Sequence, residues 1–410
     1  MDVRLPGTGV AALREHNQSL VMRQILSYRG VSRTDVAARI GLTDAAVSRI
    51  TRDLIASGFV REGREAPAEP GQRGRRHVQL EADPNGAAFL AISLTIADRR
   101  VSLVDLSGRR RGEVALSSAL PQDYGTLVAD VTRAAKQLVA RSRMPRDRVL
   151  GIAATTAGAV EQTRGRVIAS SLAVLRGRDV GADLEKNLHM PAAVETVGNA
   201  LGLAETHRVM QNEGLTLPGS SLLVHVAFGL GVSVMLEGVP IRSGGDERVA
   251  SHVPVAQGRS TCVCGARGCL MAEAGGYGIL RRMQGVPAEA PGQGWEDMRP
   301  QALRSAIASD CSGDAATSWI MAEAGRVLGR HLFALGAASA ARRVIIGGPL
   351  AAAPSYVQGL RAGLAESFGR ASETPPGVIL SDTDYLHAAE LLAIEEFALR
   401  RPLPLADPMA

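Results

Sequence analysis

Ser32-Arg33-Thr34-Asp35-Val36-Ala37-Ala38-Arg39-Ile40-Gly41-Leu42-Thr43-Asp44-Ala45-Ala46-Val47-Ser48-Arg49-Ile50-Thr51-Arg52-Asp53-Leu54-Ile55-Ala56-Ser57 carries two helix starts and two helix stops. Ser32 is an N-cap residue with Asp35 three places on, the reciprocal pairing of a capping box. Val36, Ala37 and Ile40 give a short apolar face, and Gly41 stands where a left-handed C-cap is needed. Leu42 follows, Thr43 is the next N-cap, and Val47, Ile50 and Leu54 recur at i, i+3 and i+7. Ser57-Gly58 stops this second helix. Upstream, Leu13, Val21, Ile25 and Leu26 stripe a helix over 12–28 that Gly30 ends. A supporting helix, then helix, three-residue turn and helix, predicts a helix-turn-helix.

In that arrangement helix 43–57 projects its N-terminal half into a major groove of double-stranded DNA. Its outward side chains are Thr43, Asp44, Ala45, Ser48, Arg49 and Arg52. Arg49 and Arg52 reach guanine edges or phosphates, Ala45 packs on a thymine methyl, and Thr43 with the helix N-terminus holds a phosphate. Asp44 suits only an amine donor such as that of cytosine. Phe59-Val60-Arg61-Glu62 and His77-Val78-Gln79-Leu80 read as two strands around a Pro- and Gly-containing loop. That makes a winged helix, with Arg73, Arg75 and Arg76 on the wing tip, where cationic side chains suit a narrow minor groove.

Composition agrees. The chain has 410 residues, 46% hydrophobic and 21% charged, ample for two or three domains and inconsistent with wholesale disorder. Aromatics are 3%, which disfavours a nucleic-acid module that stacks bases on aromatic rows. The net charge is +5, and residues 1–83 alone hold 13 arginines against 10 acidic residues. Lys136 and Lys186 are the only lysines, and neither sits in a glycine-rich or polar motif, so a catalytic lysine is disfavoured. The N-terminus carries no apolar signal-like run. The most apolar stretch, Leu222–Leu236, is interrupted by His225 and glycines and too short to span a bilayer. The expectation is a cytoplasmic protein with no membrane partner.

After the turn Asp83-Pro84-Asn85-Gly86, read as a hinge, strand and helix patterns alternate with glycines at strand ends. Paired strands are expected over 88–96 and 100–106, helices over 125–142, 199–207 and 317–341, and strands at 149–155 and 344–346. A hairpin is expected around Gly229-Leu230-Gly231. This is α/β architecture with no short-period repeat. Within it stands His252, nine intervening residues, then Cys262-Val263-Cys264-Gly265-Ala266-Arg267-Gly268-Cys269. Three thiolates and an imidazole are a tetrahedral zinc set, and with all four positions filled by protein the site should be structural. Cys311 stands apart as a small core residue.

A winged helix followed by an α/β body with this His–CxCGxxGC loop resembles the transcriptional-regulator branch of the ROK family (repressors, open reading frames and kinases). The resemblance includes Asn17-Gln18-Ser19-Leu20-Val21, Gly71-Gln72-Arg73-Gly74-Arg75-Arg76 and Val344-Ile345-Ile346-Gly347-Gly348-Pro349. It implies an actin-like, ribonuclease-H-like two-lobed body, a homodimer or dimer of dimers, and a sugar or sugar-phosphate effector. The expected domains are a DNA-binding unit over 1–83 and a body over 84–410. Its lobes would be 84–200 with 388–410, and 201–387.

Departures from the family pattern matter as much. The first phosphate loop falls on Leu90–Ala97, which has neither acid nor glycine, and the second on Ala227-Phe228-Gly229-Leu230-Gly231. The general-base aspartate of the kinases falls on Val197, which cannot accept a hydroxyl proton. Two glutamates of the sugar site fall on Val249 and Met271. Glu195, Asn199, His252 and Glu273 remain as candidate ligand residues. The expectation is therefore a DNA-binding repressor that is not an enzyme and uses no ATP, sensing a sugar-related or altered effector. The competing readings are a sugar kinase with an accessory domain and a ligand-free dimerising regulator.

Overall fold

The structure is a computed structural model that describes residues 9–28, 30–65, 78–213, 219–241, 250–292, 294, 299–371 and 377–405. It opens with α1 (Val10–Ser27), β1 (Val31–Ser32), α2 (Arg33–Ile40), α3 (Asp44–Ala56), β2 (Val60–Glu65) and β3 (Val78–Ala82). The caps sit where the sequence places them. Ser32 and Asp35 form a reciprocal capping box, Gly41 ends α2 at φ 70°, and Thr43 accepts from Ala46 N. β2 and β3 form the antiparallel wing, and β1 pairs on the other edge of β3. Val21, Met22, Val36, Val47, Leu54, Phe59 and Leu80 are buried, so the three helices and the wing share one core. The arginines Arg73, Arg75 and Arg76 lie outside the described residues.

The body holds two five-stranded sheets of one topology. The first comprises β4 (Ala88–Leu94), β5 (Arg99–Asp105), β6 (Arg110–Ala115), β7 (Val149–Thr156) and, after the small hairpin β8 (Gly158–Glu161) and β9 (Arg166–Ser170), β10 (Ala192–Thr196). Its order is β10-β7-β4-β5-β6. The second comprises β11 (Ser220–Val226), β12 (Leu230–Leu236), β13 (Val239–Pro240), β14 (Ala341–Gly347) and β15 (Gly377–Ser381), in the order β13-β12-β11-β14-β15. In each, an antiparallel three-strand meander is extended by two parallel strands. A buried strand on both faces needs apolar residues throughout, and every residue of β4 is buried. This two-fold repetition of topology is what an actin-like body requires, and the sequence carries no visible repeat of it.

Helices α4 (Tyr124–Ser142) and α5 (Val180–Leu188) connect the first sheet. α6 (Val197–Glu213) leaves β10 and leads to β11. The second lobe adds α7 (Leu270–Ala274), α8 (Gly276–Met283), α9 (Pro300–Cys311), α10 (Ala315–Ser339) and α11 (Pro354–Ala371). α12 (Tyr385–Ile394), continued by a π-turn over Glu395–Leu399, returns to pack on α6 and β4. α10 and α11 meet backbone to backbone. A Cβ on Gly325 would stand 2.0 Å from Tyr356 O, and one on Gly329 2.1 Å from Leu360 O.

The winged helix does not hang on a linker. One apolar cluster joins Val21 and Met22 of α1 with Leu201 of α6, Leu392 of α12 and Phe397. Arg148 donates to Ser57 O and Gly86 O, and Gly86 sits against the Gly58 carbonyl so closely that a Cβ would clash at 2.4 Å. The turn at 83–86, expected as a hinge, is thus pinned from both sides.

Candidate nucleic-acid interface, metal centre and interlobe cleft

The outward face of α3 follows from which residues its core takes. Val47, Ile50, Thr51 and Leu54 are buried. Thr43, Asp44, Ala45, Arg49 and Arg52 are exposed, and Ser48 is half-buried. Among the described residues neither Arg49 nor Arg52 pairs with an acid, while the arginines beneath them do. Arg33 bonds Thr51 Oγ1 and Glu62, and Arg14 bonds Asp53. The internal pairs tie α2, α3 and the wing together, leaving two guanidinium groups exposed on the middle of α3.

His252, Cys262, Cys264 and Cys269 come together with all ligand atoms within 4.8 Å of one another. The separations carry a stronger test. Cys262 Sγ lies 3.5 Å from His252 Nδ1, and Cys264 Sγ lies 3.7 Å from Cys269 Sγ. For tetrahedral bonds of about 2.3 Å to sulfur and about 2.0–2.1 Å to nitrogen, the edges are about 3.5 Å for N···S and about 3.8 Å for S···S. The donor set therefore fits a divalent metal with Nδ1 of the histidine as ligand. Gly265 (φ 88°) and Gly268 (φ 69°) let the loop turn tightly enough to aim three sulfurs inward. Burial pushes the Cys262 and Cys269 thiols up and the His252 imidazole down. Metal binding here must displace thiol protons.

Between the lobes lies a cleft of about 740 Å³. Asn199 and His252 line it. Glu195 and Glu273 do not: Glu195 lines a separate recess of about 510 Å³ behind β10. Its Oε1 accepts from Thr196 N and Asn199 Nδ2. Glu273 accepts from Ser260 N beside the metal loop. Glu205, about two turns along α6, is fully buried and accepts from Ser381, Thr383 and Arg208. It fastens α6 to β15 and does not line the cleft.

Both phosphate-loop positions line this cleft, 95–97 from the first and 227–231 from the second. The turn between β4 and β5 is closed by Arg99, which donates to the carbonyls of Thr95, Ile96, Ser117 and Ser118. In the second loop, Phe228 is buried and Val197 is 2% exposed. Sequence reasoning missed the pair His225–Tyr385, whose Nε2 and hydroxyl oxygen lie 2.6 Å apart at the cleft wall. The partners are far apart in sequence and no motif signals them. Burial drives His225 down to about 4, so its ring is neutral at pH 7. Arg176 and Ile241 also line the cleft and were likewise missed.

A sequence model of the ROK family matches residues 98–390. A xylose repressor of Caldicellulosiruptor bescii is 22% identical over 259 residues, 63% of this chain and 63% of that one, so the chain spans less than two thirds of that relative. Among solved structures, a ROK family transcriptional regulator, a homologue of the E. coli Mlc protein, superposes with a TM-score of 0.72 at 20% identity. It covers 95% of this chain and 98% of its own. A ROK hexokinase from Thermus thermophilus gives 0.59 at 22% identity and covers 75% of this chain and 98% of its own. Both likenesses speak to fold. No helix among the described residues is long and apolar enough to cross a membrane.

Proposed function

The chain belongs to the ROK family, and from that premise we propose that it is a sequence-specific DNA-binding transcriptional regulator that represses its targets. The observation that carries this reading is the face of α3, with exposed Arg49 and Arg52 unpaired by any described acid and held on a buried, doubly capped tripod. The DNA-binding unit is 1–83 and the body 84–410. Thr43, Asp44, Ala45 and Ser48 complete the groove-facing set, with Arg73, Arg75 and Arg76 of the wing. A homodimer presents two such units to a pseudo-palindrome. Zinc at His252, Cys262, Cys264 and Cys269 holds the loop beside the cleft and supplies no open coordination position.

The body transfers no phosphoryl group. A valine stands at the general-base position, and the first phosphate loop, over 90–97, holds neither acid nor glycine. The cleft keeps an effector role, with Asn199 and His252 on its wall, for a sugar-related or altered effector.

The test is genomic binding-site selection with the purified chain. Arg49→Ala should keep duplex binding but flatten preference at one base position of each half-site, by about 1–3 kcal/mol. Arg75→Ala should weaken binding to all sequences and reduce the salt slope by about 1. No duplex binding by the wild-type chain, or unchanged selectivity in Arg49→Ala, would refute the assignment.

A further inference from the structure

We propose that the interlobe cleft takes a hydrophobic carboxylic acid: an apolar body with one anionic end. The inference rests on the effector reading above and names the ligand class for that cleft.

The walls come first. Ile96, Ile168 and Val197 from one lobe face Phe228, Val232 and Met271 from the other across about 740 Å³. Ile168 and Ile241 at the same cleft are 45% and 56% exposed, large apolar side chains left in water unless something covers them. A volume of that size suits a small organic molecule held mostly by apolar contact.

Charge comes second. Among the described residues lining the cleft there is no aspartate or glutamate. The nearby carboxylates are turned elsewhere, Glu195 into the recess behind β10 and Glu273 onto Ser260 N. Among the described lining residues the one permanent cation is Arg176. Its Nε donates to Ser170 O at 2.8 Å, which orients the guanidinium, and its terminal nitrogens have no acceptor among the described residues. A planar, oriented fork with two free donors matches a carboxylate.

The hydroxyls come third. Several polar side chains at the cleft already hold a hydrogen bond within the protein. Thr95 Oγ1 is bonded to Asp98, Thr196 Oγ1 accepts from Asn199 N, and Ser170 Oγ is bonded to Thr156 and Leu172 N. Asn199 Nδ2 is committed to Glu195, and His225 Nε2 to Tyr385. An apolar acid sets its uncharged body against the apolar walls without stranding a polar group there.

The experiment is calorimetry on the full-length, metal-replete chain with phenylacetate and 4-phenylbutyrate. Their amides are the neutral counterparts, and xylose and N-acetylglucosamine the sugar arm. The acids should bind, and each amide should bind about 10-fold or more weakly, because the charge-assisted bonds are lost. In Arg176→Gln the acid should fall to the affinity of its amide while the amide keeps its own wild-type affinity, a result that a loss of fold would not produce. Val197→Asp should weaken the acids by placing a like charge in the cleft. No acid binding, sugar binding in its place, or an acid preference that survives in Arg176→Gln overturns the proposal. Operator binding is measured separately on the same samples. Acid binding without duplex binding defeats the regulator reading alone, and duplex binding without acid binding defeats the ligand class alone.

Discussion

Replacing Glu395 should loosen the DNA-binding unit from the body. Its carboxylate is 2% exposed and receives both ends of the Arg23 guanidinium at 2.9 and 2.8 Å. His207 Nε2 lies 3.8 Å away and Arg400 Nε 3.6 Å away. Burial alone would raise this carboxyl, but the two hydrogen bonds and the charge of Arg23, with His207 nearby, hold it at about 2, against an ordinary 4.5. At roughly 1.4 kcal/mol for each tenfold change in proton affinity, the depression is worth about 3 kcal/mol. Because the folded value lies below the unfolded one, the contribution is full above about pH 4.5 and is lost as pH falls towards 2. In urea denaturation at pH 7 followed by circular dichroism, Glu395→Gln should lower the first unfolding transition by about 3 kcal/mol. Arg23→Met, which strands a buried charge, should cost about 3–5 kcal/mol. The double variant Arg23→Met/Glu395→Leu should recover part of either loss, since an apolar pair needs no desolvation. The gap between wild type and Glu395→Gln should narrow from pH 5 to pH 3. A Glu395→Gln protein within about 0.5 kcal/mol of wild type at pH 7, the range of ordinary surface changes, would refute the argument, as would a gap that ignores pH.

Three other outcomes follow from the same physics. The purified chain should hold one zinc, lose it in Cys262→Ser, and release it to a chromogenic chelator as pH falls, because protons compete for thiols that burial already pushes up. Gly329→Ala puts a Cβ 2.1 Å from Leu360 O, a backbone atom that cannot swing aside. It should lower thermal stability by about 1–3 kcal/mol despite a helix gain near 1 kcal/mol, whereas Gly336→Ala, with nothing within 4 Å of its Cβ, should be neutral or stabilising. A coupled ADP-release assay over a panel of hexoses should show no turnover, and Val197→Asp should not restore it, because Arg99 still closes the first phosphate turn.

The helix-turn-helix was legible because its signals are local. Ser32, Asp35, Gly41 and Thr43 act on backbone groups within a few residues, and the structure uses each for that purpose. The metal cluster was legible for the same reason: three of its four ligands lie in one eight-residue loop, Cys262–Cys269. What escaped depends on residues far apart in the chain. β6, the β8–β9 hairpin and β15 have mixed burial, so their patterns alternate weakly. The repetition of sheet topology constrains hydrogen-bond partners and not residue identity, so two lobes of one plan share no readable motif. Glu205 shows the limit most clearly. No local pattern marks it, and it is a buried clamp whose partners, Ser381 and Thr383, lie more than 170 residues away.

The same clamp explains how a cleft could speak to a groove. α6 starts at the cleft with Val197 and Asn199, follows directly on β10 of the first lobe, and is fastened to β15 of the second through Glu205. Ten residues from its start, about 15 Å along a helix, His207 faces Glu395, which Arg23 of α1 grips with both nitrogens. A ligand that changes the angle between the lobes cannot leave α6 fixed to both. Whichever lobe keeps the helix, its far end moves relative to α12 or to the first sheet, and α1 is packed on that junction. In a dimer, a small rotation of each α1 changes the separation of two recognition helices that must match half-sites about 34–36 Å apart. On the reading proposed above, such a regulator needs no mobile linker between its parts: the pinned turn at 83–86 would transmit the rotation because it does not absorb it.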